Sequence, residues 1–148
     1  MGSVNFEDLQ SEHSYSRWGA YGQSKLANLL FAGELARRYP KLVVAAAHPG
    51  YAATHLQSGH GSAVLAGVMR VGNALLAQSE EGGALPSVYA ATMPDVRSGD
   101  YWGPGVLELR GAPKRVGRSR AACDGATARR LWEESERLTG VVYPSAPV

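Results

Sequence analysis

Apolar positions at helical spacing dominate the stretch from about Ala20 to Tyr39. Leu26, Leu29, Leu30 and Gly33 share one face, and Leu35 and Ala36 carry the apolar surface further round. Ala27, Phe31 and Ala32 widen the stripe, so this helix is expected to be covered on more than one side. Arg37 and Arg38 suit the negative end of the helix dipole, and Pro40 stops the helix. Residues 3 to 19 are polar and aromatic and read as a loop lying on the rest of the fold.

Leu42-Val43-Val44-Ala45-Ala46-Ala47 is apolar without alternation, the pattern of a parallel strand buried on both faces. His48-Pro49-Gly50 ends it, and ligands of open α/β sheets bind beyond that end. Residues 52 to 62 are polar and Gly-rich, as in a mobile loop; Val64, Val68, Val71 and Leu75 then restore helical spacing from Ala63 to Ala77. Another helix is predicted from about Ser79 to Thr92, with Ser79 as its cap, Glu80 and Glu81 in its first turn and Pro94 closing it. Tyr101 to Gly105 reads as a turn, Val106 to Leu109 as a short strand, and residues 110 to 120 as a basic, solvated loop. A last helix is capped by Asp124 or Thr127, runs to about Leu138 and is stopped by Gly140.

The order helix, strand, helix, helix, short strand, helix belongs to an α/β layer design with few strands. Either the sheet is completed by other material or the domain is unusually helix-rich. With no internal repeat and no linker, residues 1–148 read as a single domain.

Composition changes this picture little. Of 148 residues 45% are hydrophobic and 19% charged, which argues against disorder, and the net charge of +2 does not by itself call for a polyanion. Cys123 is the only cysteine and reads as a small, semi-buried apolar residue; a reducing, cytoplasmic compartment is the expectation. No apolar run approaches the roughly 20 residues of a membrane helix, and the first residues lack the basic start and apolar centre of a signal peptide. The four histidines fit no common zinc spacing, so no metal site is expected.

Tyr21 and Lys25 stand four apart in the predicted helix, so both project from one face. An ammonium group held beside a phenol stabilises the phenolate, which turns tyrosine into a usable general acid/base at a carbonyl or alcohol oxygen. Alone this spacing is common. Its context is not: Ser24 precedes the lysine, Ala27 and Asn28 follow it, and the buried strand delivers His48-Pro49-Gly50 with Thr54 four residues after the glycine.

Tyr21-Gly22-Gln23-Ser24-Lys25-Leu26-Ala27-Asn28 resembles the active-site helix of the short-chain dehydrogenase/reductase family. His48-Pro49-Gly50-Tyr51-Ala52-Ala53-Thr54 is similar to that family's Pro-Gly motif. Asn5-Phe6-Glu7-Asp8-Leu9, Tyr15 and Trp18-Gly19-Ala20-Tyr21 resemble the retinol-dehydrogenase-like subgroup. So do Glu80-Glu81-Gly82, Tyr89-Ala90-Ala91-Thr92 and Leu131-Trp132-Glu133-Glu134-Ser135. The resemblance covers essentially the whole chain.

It implies the C-terminal half of a Rossmann-type, doubly wound parallel sheet, helix-rich because the N-terminal strands are missing. It also implies hydride transfer with NAD or NADP on a small apolar alcohol or carbonyl. Tyr21 would donate or accept the proton, and Lys25 would support it and bind the nicotinamide ribose. Pro49, Gly50 and Thr54 would line the nicotinamide end, and residues 52 to 77 would form the substrate loop and helix. The helix from 20 to 39 packs between subunits in many members, which implies a homo-oligomer.

Two family features are not found. The twenty residues before Tyr21 hold no Gly-rich phosphate turn, and Ser3, Ser11, Ser14 and Ser16 stand too close to Tyr21 to be the catalytic serine. Cofactor binding is therefore expected to suffer. The leading expectation is an NAD(P)-dependent oxidoreductase in truncated form. The alternative is a non-catalytic remnant that associates through its apolar first helix. Nucleic-acid binding rests only on Arg110 to Arg120 and is not expected.

Overall fold

The computed structural model describes residues 2–50 and 79–144. The predicted loop and helix between Ala52 and Ala77 lie outside these residues, as does Thr54. The described residues form two units, one from those before Ala45 and after Gly117, the other from those between Ala45 and Gly117.

In the first unit, helix α1 spans Arg17–Arg38. It begins three residues before the predicted start because Ser16, hidden in a polar run, caps it: its side chain accepts from the Gly19 N–H at 3.2 Å. The segment ahead of it is more than a loop. Phe6–Asp8 is a short 3-10 helix, and the Asp8 carboxylate accepts from the backbone N–H groups of Glu12, His13 and Ser14. Gln23 fastens this segment to α1, accepting from the Asn5 N–H at 2.8 Å and donating to the Leu9 carbonyl at 3.1 Å.

The last helix of this unit, Gly125–Thr139, is capped by Asp124, which accepts from the N–H groups of Ala126 and Thr127, and ends on left-handed Gly140. Its Leu131 and Ala128 pack with Leu26, Leu30 and Ala122, and Val4, Phe6 and Leu9 close the cluster. Among the described residues the wide stripe of α1 is thus only partly covered. Leu26, Leu30 and Glu34 are its buried positions, whereas Phe31 is exposed. Glu34 is buried because Arg37 and Arg38, one turn on, hold its carboxylate at 2.5 and 2.7 Å. Cys123 is exposed rather than semi-buried.

The second unit is built on a three-stranded sheet. Strand β1 is Ala46–Ala47, α2 is Glu80–Thr92, β2 is Tyr101–Val106 and β3 is Arg110–Arg115; the C-terminal helix Gly125–Thr139 becomes α3. The strand order is β1-β2-β3, with β1 parallel to β2 and β2 antiparallel to β3. The fold is α/β, and the sheet is mixed rather than wholly parallel among the described residues.

Two sequence expectations are corrected here. The strand from Leu42 narrows to Ala46–Ala47, paired with Tyr101 and Trp102. Leu42 and Val43 are exposed, because the ladder on β2 begins only where Asp100 offers its carbonyl to the Ala46 N–H. The strand expected at Val106–Leu109 is instead the turn of a hairpin whose second arm, β3, occupies the first half of the expected basic loop. The Leu109 N–H donates to the Val106 carbonyl, and the two residues between, Leu107 and Glu108, have φ of 52° and 58°. Two left-handed central residues make the tight turn that matches strand twist. Asn and Gly usually supply it, which is why Leu-Glu gave no warning.

Helix α2 agrees with its expected bounds, with the Ser79 side chain accepting from the Gly82 N–H. Its Tyr89 ring packs against the Trp102 ring of β2 at 4.5 Å between centroids.

Candidate active site

Tyr21 and Lys25 sit in the second and third turns of α1, and both are exposed. The Lys25 Nζ lies 5.3 Å from the centroid of the Tyr21 ring, and among the described residues no carboxylate pairs with it. Trp18, one turn earlier on the same side, meets the Tyr21 ring edge-to-face at 6.4 Å. Ser24 donates its hydroxyl back to the Tyr21 carbonyl at 2.8 Å, a bond within the helix that leaves the phenol oxygen untouched. A phenol, an ammonium and an indole therefore line one exposed face at the start of the helix.

Pro49 and Gly50 belong to the second unit, at the C-terminal end of β1. Pro49 is exposed. Gly50 has φ of 71°, and a Cβ there would meet the Leu109 carbonyl oxygen at 2.5 Å and Pro104 at 2.6 Å. Glycine is thus demanded by how the turn docks on the β2–β3 hairpin, independently of any ligand.

His48, set aside in the sequence as a turn histidine, organises this end of β1. Its backbone N–H donates to the Trp102 carbonyl at 2.9 Å, and its Nδ1 accepts from the Gly50 N–H at 3.2 Å. The ring lies against Tyr101 at 5.1 Å between centroids, and its buried Nε2 has no hydrogen-bond partner, with the Glu108 carboxylate 3.6 Å away. Burial holds the imidazole below the usual histidine value of 6.5, and the Glu108 charge opposes this more weakly. The clue in the sequence was the spacing: an acceptor two residues before a glycine N–H is the arrangement of an Asx turn.

Arg115, from the basic stretch, is engaged within its own unit: it pairs with Asp100 at 3.0 Å and lies over the Trp102 ring. Among the described residues no group of His, Cys, Asp and Glu could hold a metal ion, and no helix is long and apolar enough to cross a membrane.

No family profile matches the chain. Individual proteins do. It is 37% identical to retinol dehydrogenase 14 of Mus musculus over 95% of its own length and 41% of that protein's. Against retinol dehydrogenase 13 of Homo sapiens the identity is 39%, over 97% of this chain and 44% of the relative. Polyprenol dehydrogenase of Mus musculus is 37% identical over 95% of this chain and 41% of its own length. Among solved structures, an uncharacterized protein from Mycobacterium paratuberculosis superposes with a TM-score of 0.72 at 40% identity, covering 97% of this chain and 47% of that one.

The chain is therefore homologous, along nearly its whole length, to retinol dehydrogenases, which are short-chain dehydrogenases/reductases. It spans less than half the length of these curated relatives.

Proposed function

We propose that this chain carries the acid/base and nicotinamide-facing part of an NAD(P)-dependent oxidoreductase that interconverts a small apolar alcohol and its carbonyl. The observation that supports it most is the exposed Tyr21–Lys25 pair, joined to a likeness to dehydrogenases along nearly the whole chain. Neither side chain is buried by its own unit, so both are open to a ligand.

The donor set suits one end of a dinucleotide. An ammonium and a phenol one turn apart can hold the hydroxyls of a ribose and the oxygen of a substrate. Among the described residues no strand runs into a Gly-rich turn at a helix start, so nothing there would cradle a pyrophosphate. A nicotinamide group, when bound, supplies or accepts the hydride at the substrate carbon. The Tyr21 hydroxyl gives its proton to the carbonyl oxygen during reduction, and its phenolate takes one from the alcohol during oxidation. Lys25 steadies the phenolate that remains. Trp18 offers an apolar wall beside the phenol, consistent with an apolar substrate.

Titration with NADH and NADPH, followed by nicotinamide fluorescence, tests the reading. Saturable binding weakened by Lys25→Met supports it; absence of binding at millimolar cofactor overturns it for this chain.

A second reading, self-association without turnover, draws on a groove of about 280 Å³ in the first unit. Phe31, Trp132, Val141 and Tyr143 line it, with Phe31 stacked on Trp132 at 5.4 Å. Sedimentation equilibrium separates the two: a dimer dispersed by Phe31→Glu in a chain that binds no cofactor favours the second.

A further inference from the structure

The turn at the end of β1 poses a mechanical problem. Gly50 is left-handed and pressed against the Leu109 carbonyl, and Pro49 before it has no N–H with which to anchor the backbone. The side chain of His48 is what meets the Gly50 N–H. The ring is itself held from three sides. Tyr101 packs on it, its backbone is laddered to Trp102, and Gly103 lies so close that a Cβ there would stand 2.0 Å from Nε2. An imidazole used only as filler would not need its Nδ1 turned toward the Gly50 N–H.

We propose that His48 is the positioning residue of the Pro49–Gly50 turn, its unprotonated Nδ1 acting as the acceptor of an Asx-like turn that fixes the Gly50 backbone. The inference deepens the proposed function, since it rests on that reading for the claim that this turn faces nicotinamide. The bond itself is a property of the second unit alone.

Chemistry dictates the tautomer. A neutral ring that accepts at Nδ1 carries its proton on Nε2, the atom facing Glu108. A second proton can go only to Nδ1, where it replaces the acceptor with a donor opposed to the Gly50 N–H. Among the described residues, the ionisable groups facing the ring are Glu108 from the hairpin turn and Tyr101 from β2. Burial pushes the Tyr101 phenol above its ordinary range, so it stays neutral while histidine titrates. With the folded imidazole held below 6.5, the bond is complete above that value and is lost as pH falls through the folded pKa.

The experiment is heteronuclear NMR on the intact chain. Above neutral pH the imidazole nitrogen shifts should show Nδ1 bare and Nε2 protonated. Exchange protection of the Gly50 amide, corrected for intrinsic rate, should fall on acidification together with His48 protonation. His48→Phe keeps a ring but no acceptor and should lower that protection about tenfold, the worth of one hydrogen bond. His48→Asn restores an oxygen acceptor and should keep the protection while abolishing its pH dependence. Repeating the titration in Glu108→Gln should move the midpoint downward without removing the transition.

A proton on Nδ1 at neutral pH, or undiminished Gly50 protection in His48→Phe, overturns the proposal. If His48→Phe fails to fold, the tautomer and the Asn variant still decide. None of these readouts requires cofactor. NADH binding can fail while the Gly50 result holds, which removes the functional reading and leaves the positioning role.

Discussion

The Lys25 ammonium lies 5.3 Å from the centre of the Tyr21 ring, one helical turn away on an exposed face. The ammonium lies over the ring, so removing the hydroxyl leaves this contact in place. Tyr21→Phe keeps the ring, and because Tyr21 is 57% exposed its stability should stay within about 0.5 kcal/mol of the parent. Under the proposed function, the chain's turnover of an apolar ketone with reduced nicotinamide should fall by a factor of about 10² to 10⁴, the usual contribution of a general acid. Paired thermal melts and initial rates check both halves. Intact turnover in the variant contradicts the role assigned to the phenol.

The ionic cluster at the end of α1 predicts a different behaviour. Glu34 is 1% exposed and bound by Arg37 and Arg38. Hydrogen bonds from Arg37, then from Arg38, hold its carboxyl below the usual value of 4.5, with burial opposing them. A depressed acid adds stability above its unfolded pKa and loses it as pH falls through the folded one. Glu34→Gln should therefore cost about 1–3 kcal/mol at neutral pH, discounted toward the lower figure because both arginines reach solvent. Urea melts of parent and variant should converge below pH 4.5. A gap that stays constant into acid would mean that the charge is not what matters.

Legibility followed how local each determinant was. Ser79 with Glu80 and Glu81, and Asp124 with Gly140, announce helix ends through contacts made within one turn, and both helices formed there. The Tyr21–Lys25 adjacency was equally readable, since helical spacing alone brings i and i+4 together. The β2–β3 hairpin was not readable. Its arms carry Gly103, Pro104, Gly105, Gly111 and Pro113, residues that ordinarily mark loops, and Pro104 is tolerated because it lies beyond the last β1 pairing and beside a register shift. His48 offered the local spacing to Gly50, but what packs and orients its ring, Gly103 and Glu108, lies more than fifty residues away.

The hairpin turn itself stores strain that substitution can release. Leu107 is 83% exposed and left-handed at φ 52°, a conformation that costs a leucine about 1 kcal/mol and an asparagine less. Leu107→Asn should raise stability by about 0.5–1 kcal/mol and leave the fold unchanged. Chemical denaturation of the two proteins measures it directly; a loss of stability would show that the leucine makes a contact worth more than the strain.

The close approach of Gly103 to His48 predicts a coupling between two positions far apart in sequence. Gly103 is buried in β2, and the three nearest atoms to a Cβ built there all belong to the His48 ring. Its φ is not left-handed, so the backbone itself accepts alanine. Gly103→Ala should therefore destabilise the parent by about 1–3 kcal/mol, the cost of overpacking. In a His48→Ala background the obstacle is gone, and the same change should be neutral or slightly favourable, because alanine limits the unfolded chain more than glycine does. The double-mutant cycle should return a coupling of about 1–3 kcal/mol. Equal costs in both backgrounds would falsify the packing of His48 against Gly103 and, with it, the support that keeps Nδ1 aimed at Gly50.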